Sequence, residues 1–126
     1  MLVASKNENF LDQNIDWEFP IPIAYGPGRL SEIGLFCEQF QISNPLIITD
    51  EGSKNLPFIN RLITLLQKAS IPSKLFFGVS PNPRDDEIMA GCETYRSGKH
   101  DSIIAIGGGS AMDGAKAIGM TVNSGV

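Results

Sequence analysis

The sequence predicts an α/β fold, a parallel sheet with helices on both faces. Three observations carry that expectation. Short apolar runs recur at 46–48, 75–77 and 103–106. The stretches between them place apolar residues at helical spacing. The connections are short, so strand and helix alternate, as in a sheet covered by its own crossover helices. Runs that are continuously apolar suit strands buried on both faces.

Each element has its own signal. Residues 1–16 are polar and unpatterned and predict a loose terminal segment, which leaves 17–126 as the folded part. From 17 to 25 apolar positions alternate around Pro20 and Pro22, which suits an edge strand or extended arm. Gly26-Pro27-Gly28 is a turn signal. Leu30, Ile33, Cys37 and Phe40 recur at helical spacing until Asn44-Pro45 breaks the pattern. Leu46-Ile47-Ile48-Thr49 predicts a buried strand ended by Asp50. After a loop, Ile59, Leu62, Ile63, Leu66 and Ala69 mark one apolar face of a second helix, which Ile71-Pro72 ends.

Lys74-Leu75-Phe76-Phe77 is a third extended piece, and Pro81-Asn82-Pro83 a rigid turn, because proline fixes φ. Asp85, Asp86 and Glu87 load the first turn of the next helix with the negative charge its dipole prefers. They read as capping and solvation rather than a catalytic pair, with Ile88, Cys92 and Tyr95 on the buried side. Residues 102–106 form the last strand, and the last helix runs from Ser110 to about Val122.

Composition narrows the function. Ten Lys and Arg against fourteen Asp and Glu leave a net charge of -4, which argues against nucleic-acid binding. No run approaches the ~18 apolar residues of a membrane span, and the first residues lack the basic flank and apolar core of a secretory signal. The expected location is the cytoplasm. Cys37 and Cys92 share no metal-type spacing and read as buried helix residues. His100 is the sole histidine and is expected in a loop or at the surface. Common metal sites draw on several His or Cys ligands, so no metal ligand is assigned.

The stretch that carries chemistry is SIIAIGGGSAMDGAKAIG, residues 102–119. An apolar strand meets Gly107-Gly108-Gly109, and a helix follows at once. Glycines permit a tight turn and close approach of a ligand to the main chain. The free N–H groups and dipole of the helix start favour an anion. A phosphate-bearing ligand is therefore expected, with a dinucleotide the leading candidate. Asp50 and the Pro81-Asn82-Pro83 turn fall at the same carboxyl-end rim, where open α/β sheets bind ligands. Met112 occupies the third glycine slot of G-x-G-x-x-G, so the common dinucleotide fingerprint fails. Ser110 with Asp113 has capping-pair spacing, and Asp113 with Lys116 that of a surface ion pair.

The longer string Gly107-Gly108-Gly109-Ser110, then Asp113, then Lys116, resembles the GGGSxxDxxK signature of the iron-containing alcohol dehydrogenases. Ala24-Tyr25-Gly26-Pro27-Gly28, the strand ending at Asp50, and Gly78-Val79 with Pro81-Asn82-Pro83 resemble further family segments in the same order. The resemblance covers roughly residues 17–122. It implies a Rossmann-like, partial dinucleotide-binding domain at 17–126. It also implies an oxidoreductase moving a hydride between an alcohol or aldehyde and NAD. Gly107, Gly108, Gly109 and Ser110 would hold the pyrophosphate and nearby ribose. Asp113 would lie towards the nicotinamide, Asn82 would line the groove, and Asp50 would accept hydrogen bonds from the adenosine ribose. A carboxylate there repels a 2′-phosphate and so favours NAD over NADP.

Family members are roughly two to three times this length, with an Asp and several His that hold iron or another divalent metal in or next to a helical domain. This chain has no recognisable counterpart of those ligands, so no catalytic residue is assigned and no activity is expected from it alone. The last strand would leave an open apolar edge, inviting aggregation or pairing with another chain, a homodimer included. The alternatives are a non-catalytic nucleotide-binding fragment, or a relative of the dehydroquinate-synthase-like or glycerol-phosphate-dehydrogenase-like kind.

Overall fold

The computed structural model describes residues 2–5, 21–22, 32–39, 41–82 and 84–123. Five strands form one sheet: β1 (Leu2–Ser5), β2 (Ile21–Pro22), β3 (Pro45–Asp50), β4 (Lys74–Val79) and β5 (Ser102–Ala105). The described residues also hold four helices: α1 (Ile33–Gln39), α2 (Pro57–Lys68), α3 (Asp85–Ser97) and α4 (Gly109–Asn123). The strand order is β2-β1-β5-β3-β4. Between β5 and β4, β3 runs parallel to both neighbours, with Ile47 opposite Leu75 on one side and Ile104 on the other.

Two sequence expectations need correction. Leu2–Ser5 was expected within a loose terminal segment, yet it forms β1, antiparallel to β5 with Val3 opposite Ile104. The sheet is therefore mixed, a parallel set of three strands with an antiparallel pair added at one side. For the same reason β5 has no open edge, because β1 occupies it. A four-residue run is too short to show a period, and its partner lies about a hundred residues away, so no local pattern could reveal the pairing. Pro22 lies in the outermost strand, opposite Leu2, the edge position to which prolines in sheets are confined. The turn at 26–28, together with Leu30, Phe40 and Pro83, lies outside the described residues.

Alternation along β3 and β5 divides the core in two. Ile47 and Ile104 join Ile33, Cys37, Ile59, Leu62 and Leu66, so α1 and α2 cover that face. Leu46, Ile48, Ile103 and Ala105 join Val79, Cys92, Tyr95, Ala115, Ile118 and Val122, so α3 and α4 cover the other. Burying each such Ile or Leu contributes roughly 1.5–3 kcal/mol. Helices on both faces, as expected, follow from this division. Both cysteines are buried and free. Ile88 is half-buried and packs against this core as expected, and Gly91 makes a closer contact: a Cβ there would be driven into the Ile118 side chain, with Cγ1 2.9 Å away.

The acidic start of α3 is a cap, as read from sequence. Glu87 accepts hydrogen bonds from the Arg84 N–H at 3.1 Å and the Ser80 hydroxyl at 2.9 Å. Those bonds hold its carboxyl below the usual range. Asp86 pairs with Arg84 at 3.1 Å in the open.

At the amino-terminal rim the sheet is clamped by Asp101, whose role the sequence did not announce. Its carboxylate accepts from the Ser43 N–H and hydroxyl, both at 2.8 Å, from the Asn44 N–H at 3.0 Å and from the Ser102 hydroxyl at 3.0 Å. Burial pushes its pKa up, but these hydrogen bonds outweigh burial and the net shift is downward. His100 sits in the same connection, but it is buried rather than at the surface, with Nδ1 3.1 Å from the Asn44 carbonyl.

Candidate functional site

The chain leaves β3 through α2 to β4 on one side, then returns through α3 past β3 to β5 on the other. The two crossovers lie on opposite faces of the sheet, as right-handed connections require. The carboxyl ends of β3 and β5 therefore flank the topological switch point, where such sheets open a crevice. Asp50 ends β3 there, and Gly107–Gly109 follow β5 there.

The geometry joins these two. Asp50 Oδ2 accepts the Gly108 N–H at 2.9 Å, across 58 residues of sequence. A register shift between Ile48 and Asp50 against β4 re-aims the end of β3 at this point. Burial raises the Asp50 pKa, but the Gly108 N–H and the Ser53 hydroxyl and N–H outweigh it, and the carboxyl is held below its ordinary value. Gly107 has φ +140°, a conformation that strains any side chain. A Cβ there would stand 2.7 Å from Asp50 Oδ2 and 2.9 Å from Thr49 Oγ1. Gly109, by contrast, has nothing within 4 Å of the space a Cβ would fill, so the turn is open on its outer side.

The last helix starts one residue earlier than expected. The Gly108 carbonyl accepts from Ala111 N–H at 3.1 Å and Met112 N–H at 3.3 Å, so Gly108 is the cap and Ser110 lies inside the first turn. The expected Ser110 cap is thus replaced by backbone. The Gly109 and Ser110 N–H groups, in the first turn of the helix, have no carbonyl to bond within it, as is general for the first amides of a helix. Ser110 is half-buried, and Asp113 is exposed one turn further on. Among the described residues the ion pairs Lys54–Glu51 and Arg84–Asp86 form, whereas the expected Asp113–Lys116 pair does not. Asn82 is exposed in the bend after β4, where its carbonyl accepts the Ser80 hydroxyl at 3.2 Å. No hydrogen bond among the described residues joins Asn82 to the glycine turn.

Two contributors escaped the sequence reading. Thr49 is fully buried beside Gly107, and its Oγ1 has no hydrogen-bond partner among the described residues. A threonine ending an apolar strand carries no signal of its own. Gly114 lies against Val79, whose Cγ1 and Cγ2 would be 2.8 and 2.9 Å from a Cβ. It lets α4 press onto the sheet, the task of the third glycine in the usual fingerprint. Met112, which occupies that slot, packs against the α3–α4 core instead. Here a signal existed, since a glycine inside a helix costs about 1 kcal/mol against alanine and calls for a packing reason.

The donors at the helix start suit an anion, and the carboxylate beside them suits hydroxyl donors. The glycine cradle and the buried Thr49 hydroxyl therefore fit a phosphate with a sugar attached. A metal is a different matter. Among the described residues no group of three His, Cys, Asp or Glu is placed to hold one. Nor is any described helix long and apolar enough to cross a membrane.

Known proteins are similar in sequence and fold. The chain is 33% identical over 107 residues to 1,3-propanediol dehydrogenase of Citrobacter freundii, covering 83% of this chain and 28% of that protein. Its fold superposes on the crystal structure of a 1,3-propanediol oxidoreductase with a TM-score of 0.72 at 32% identity, covering 77% of this chain and 25% of that one. It also superposes on sulfoacetaldehyde reductase from Bifidobacterium kashiwanohense in complex with NAD+, with a TM-score of 0.66 at 32% identity, covering 79% and 26%. The chain thus spans about a quarter of the length of the relatives it matches. The family model for iron-containing alcohol dehydrogenase matches residues 20–126. An α/β sheet with a glycine turn at its switch point, matched over most of its length in this way, places the chain in the iron-containing alcohol dehydrogenase family.

Proposed function

We propose that this chain is the cofactor-binding portion of an NAD-dependent dehydrogenase of the iron type. The observation that carries the reading is the meeting of Asp50 Oδ2 and the Gly108 N–H at the switch point. It sets a hydroxyl acceptor beside a run of anion donors, the pairing a nucleotide requires. In this reading the N–H groups of Gly109 and Ser110 bind the pyrophosphate. Gly107 and Gly108 shape the turn that lets it approach. Asp50 accepts from the adenosine ribose and repels a 2′-phosphate, which favours NAD over NADP. Asn82 lines the groove, and Asp113 lies towards the nicotinamide end. The nicotinamide, when bound, supplies the hydride acceptor and donor for an alcohol and aldehyde pair.

The chain's own residues bind and orient; none of those described is placed to polarise a substrate oxygen through a metal. The cofactor-binding unit is taken as 17–126 with β1 added, working in the cytoplasm. Alcohol oxidation is not expected from these 126 residues alone.

Calorimetric titration of the chain with NAD, NADP and ADP-ribose tests the reading. NAD and ADP-ribose should bind and NADP should bind more weakly, with the difference shrinking in Asp50→Gly. Equal binding of NAD and NADP by the unaltered chain would refute the assignment of Asp50. Alcohol-dependent NADH formation by the pure chain would refute its inactivity.

A further inference from the structure

The Gly108 N–H is not open to a ligand, because Asp50 Oδ2 already accepts it at 2.9 Å. A carboxylate of the chain itself therefore stands where the start of α4 would receive an anion. An independent feature lies beneath it. Thr49 is fully buried, its Oγ1 lacks a partner among the described residues, and it borders the same space over Gly107 as Asp50 Oδ2. The crevice thus offers an incoming phosphate two donors, at Gly109 and Ser110, next to a fixed negative charge and an unmet hydroxyl.

Such a site treats bare and sugar-bearing phosphates differently. Inorganic phosphate or pyrophosphate gains the two N–H groups but meets the Asp50 charge with nothing to offer it. A ligand with a ribose brings hydroxyl donors to the remaining lone pairs of the carboxylate and turns the repulsion into hydrogen bonds.

We propose that Asp50 is an internal anion that screens the glycine turn against bare phosphates and admits those that carry a sugar diol. The proposal rests on the nucleotide reading above and adds to it a selectivity among anions. Asp50 acts on the phosphate through its charge and through the amide it occupies, not only on the ribose.

The test uses the full chain, inorganic pyrophosphate and ADP-ribose as probes, and the variants Asp50→Ala and Asp50→Asn. Asp50→Ala should bind pyrophosphate about fivefold more tightly, the order expected from removing one like charge at close range in water. Its affinity for ADP-ribose should show no such gain. Asp50→Asn keeps an acceptor for the Gly108 N–H without the charge, and should gain less than the alanine variant. In 15N-resolved NMR spectra the Gly108 amide should move on adding pyrophosphate to Asp50→Ala and stay in place in the unaltered chain. Pyrophosphate affinity that is unchanged or weaker in both variants overturns the proposal, as does pyrophosphate binding by none of the three proteins. If the unaltered chain fails to bind ADP-ribose, the nucleotide reading falls, while the pyrophosphate comparison still decides the screening role.

Discussion

Gly107→Ala and Gly109→Ala make the same chemical change two residues apart and should have opposite outcomes. At Gly107 the backbone stands at φ +140°, and an alanine held there costs about 1–3 kcal/mol in strain. The new methyl also meets Asp50 Oδ2 at 2.7 Å, Thr49 Oγ1 at 2.9 Å and Ala111 Cβ at 3.3 Å. Thr49 is fully buried and cannot withdraw, so Asp50 must release the Gly108 N–H. A hydrogen bond to a charged group contributes about 1.5–3 kcal/mol, and less where water reaches it as here. Together these give a loss of about 3–5 kcal/mol, a large part of the 5–15 kcal/mol typical of a domain. At Gly109 a methyl meets nothing within 4 Å and sits in the first turn of α4. Alanine is the better helix former there, so stability should stay within about 0.5 kcal/mol of the original. Urea unfolding followed by circular dichroism reads both, as a shift in midpoint at constant slope. The reasoning fails if Gly107→Ala costs under about 1 kcal/mol, or if Gly109→Ala costs as much as Gly107→Ala.

Gly114→Ala should destabilise by about 1–3 kcal/mol despite the gain in helix propensity, because the methyl drives α4 off Val79; thermal unfolding measures it, and a rise in midpoint would contradict the close packing. Asp101→Asn should cost about 1–3 kcal/mol at neutral pH through its weakened hydrogen bonds to Ser43, Asn44 and Ser102. Because the folded pKa of Asp101 is depressed, its contribution is complete above the unfolded value of about 3.9 and is lost as pH falls from there through the folded value. Unfolding midpoints of the two proteins should therefore differ at pH 7 and converge in acid; a gap that persists unchanged at pH 2 would assign the loss to shape rather than charge.

The sequence by itself determined the parallel core of this protein. Periodicity placed α2 through Ile59, Leu62 and Leu66, continuous apolar runs placed β3 and β5, and the acids at 85–87 placed the start of α3. Those signals are local, because burial of one helix face or of a whole strand is written into neighbouring residues. The same holds for the turn at Gly107–Gly109, whose place between an apolar strand and a helix is written in adjacent residues. Tertiary structure alone decided the rest. It added β1, a piece too short to carry a pattern, to the far side of β5. It put the Asp50 carboxylate on the Gly108 N–H, a contact 58 residues apart. It revealed the unpartnered Thr49 hydroxyl and moved the close-packing glycine from the Met112 slot to Gly114. Each of these depends on how separate elements meet at the sheet, and the distance between two chain segments is fixed by packing, not by the residues next to them in sequence.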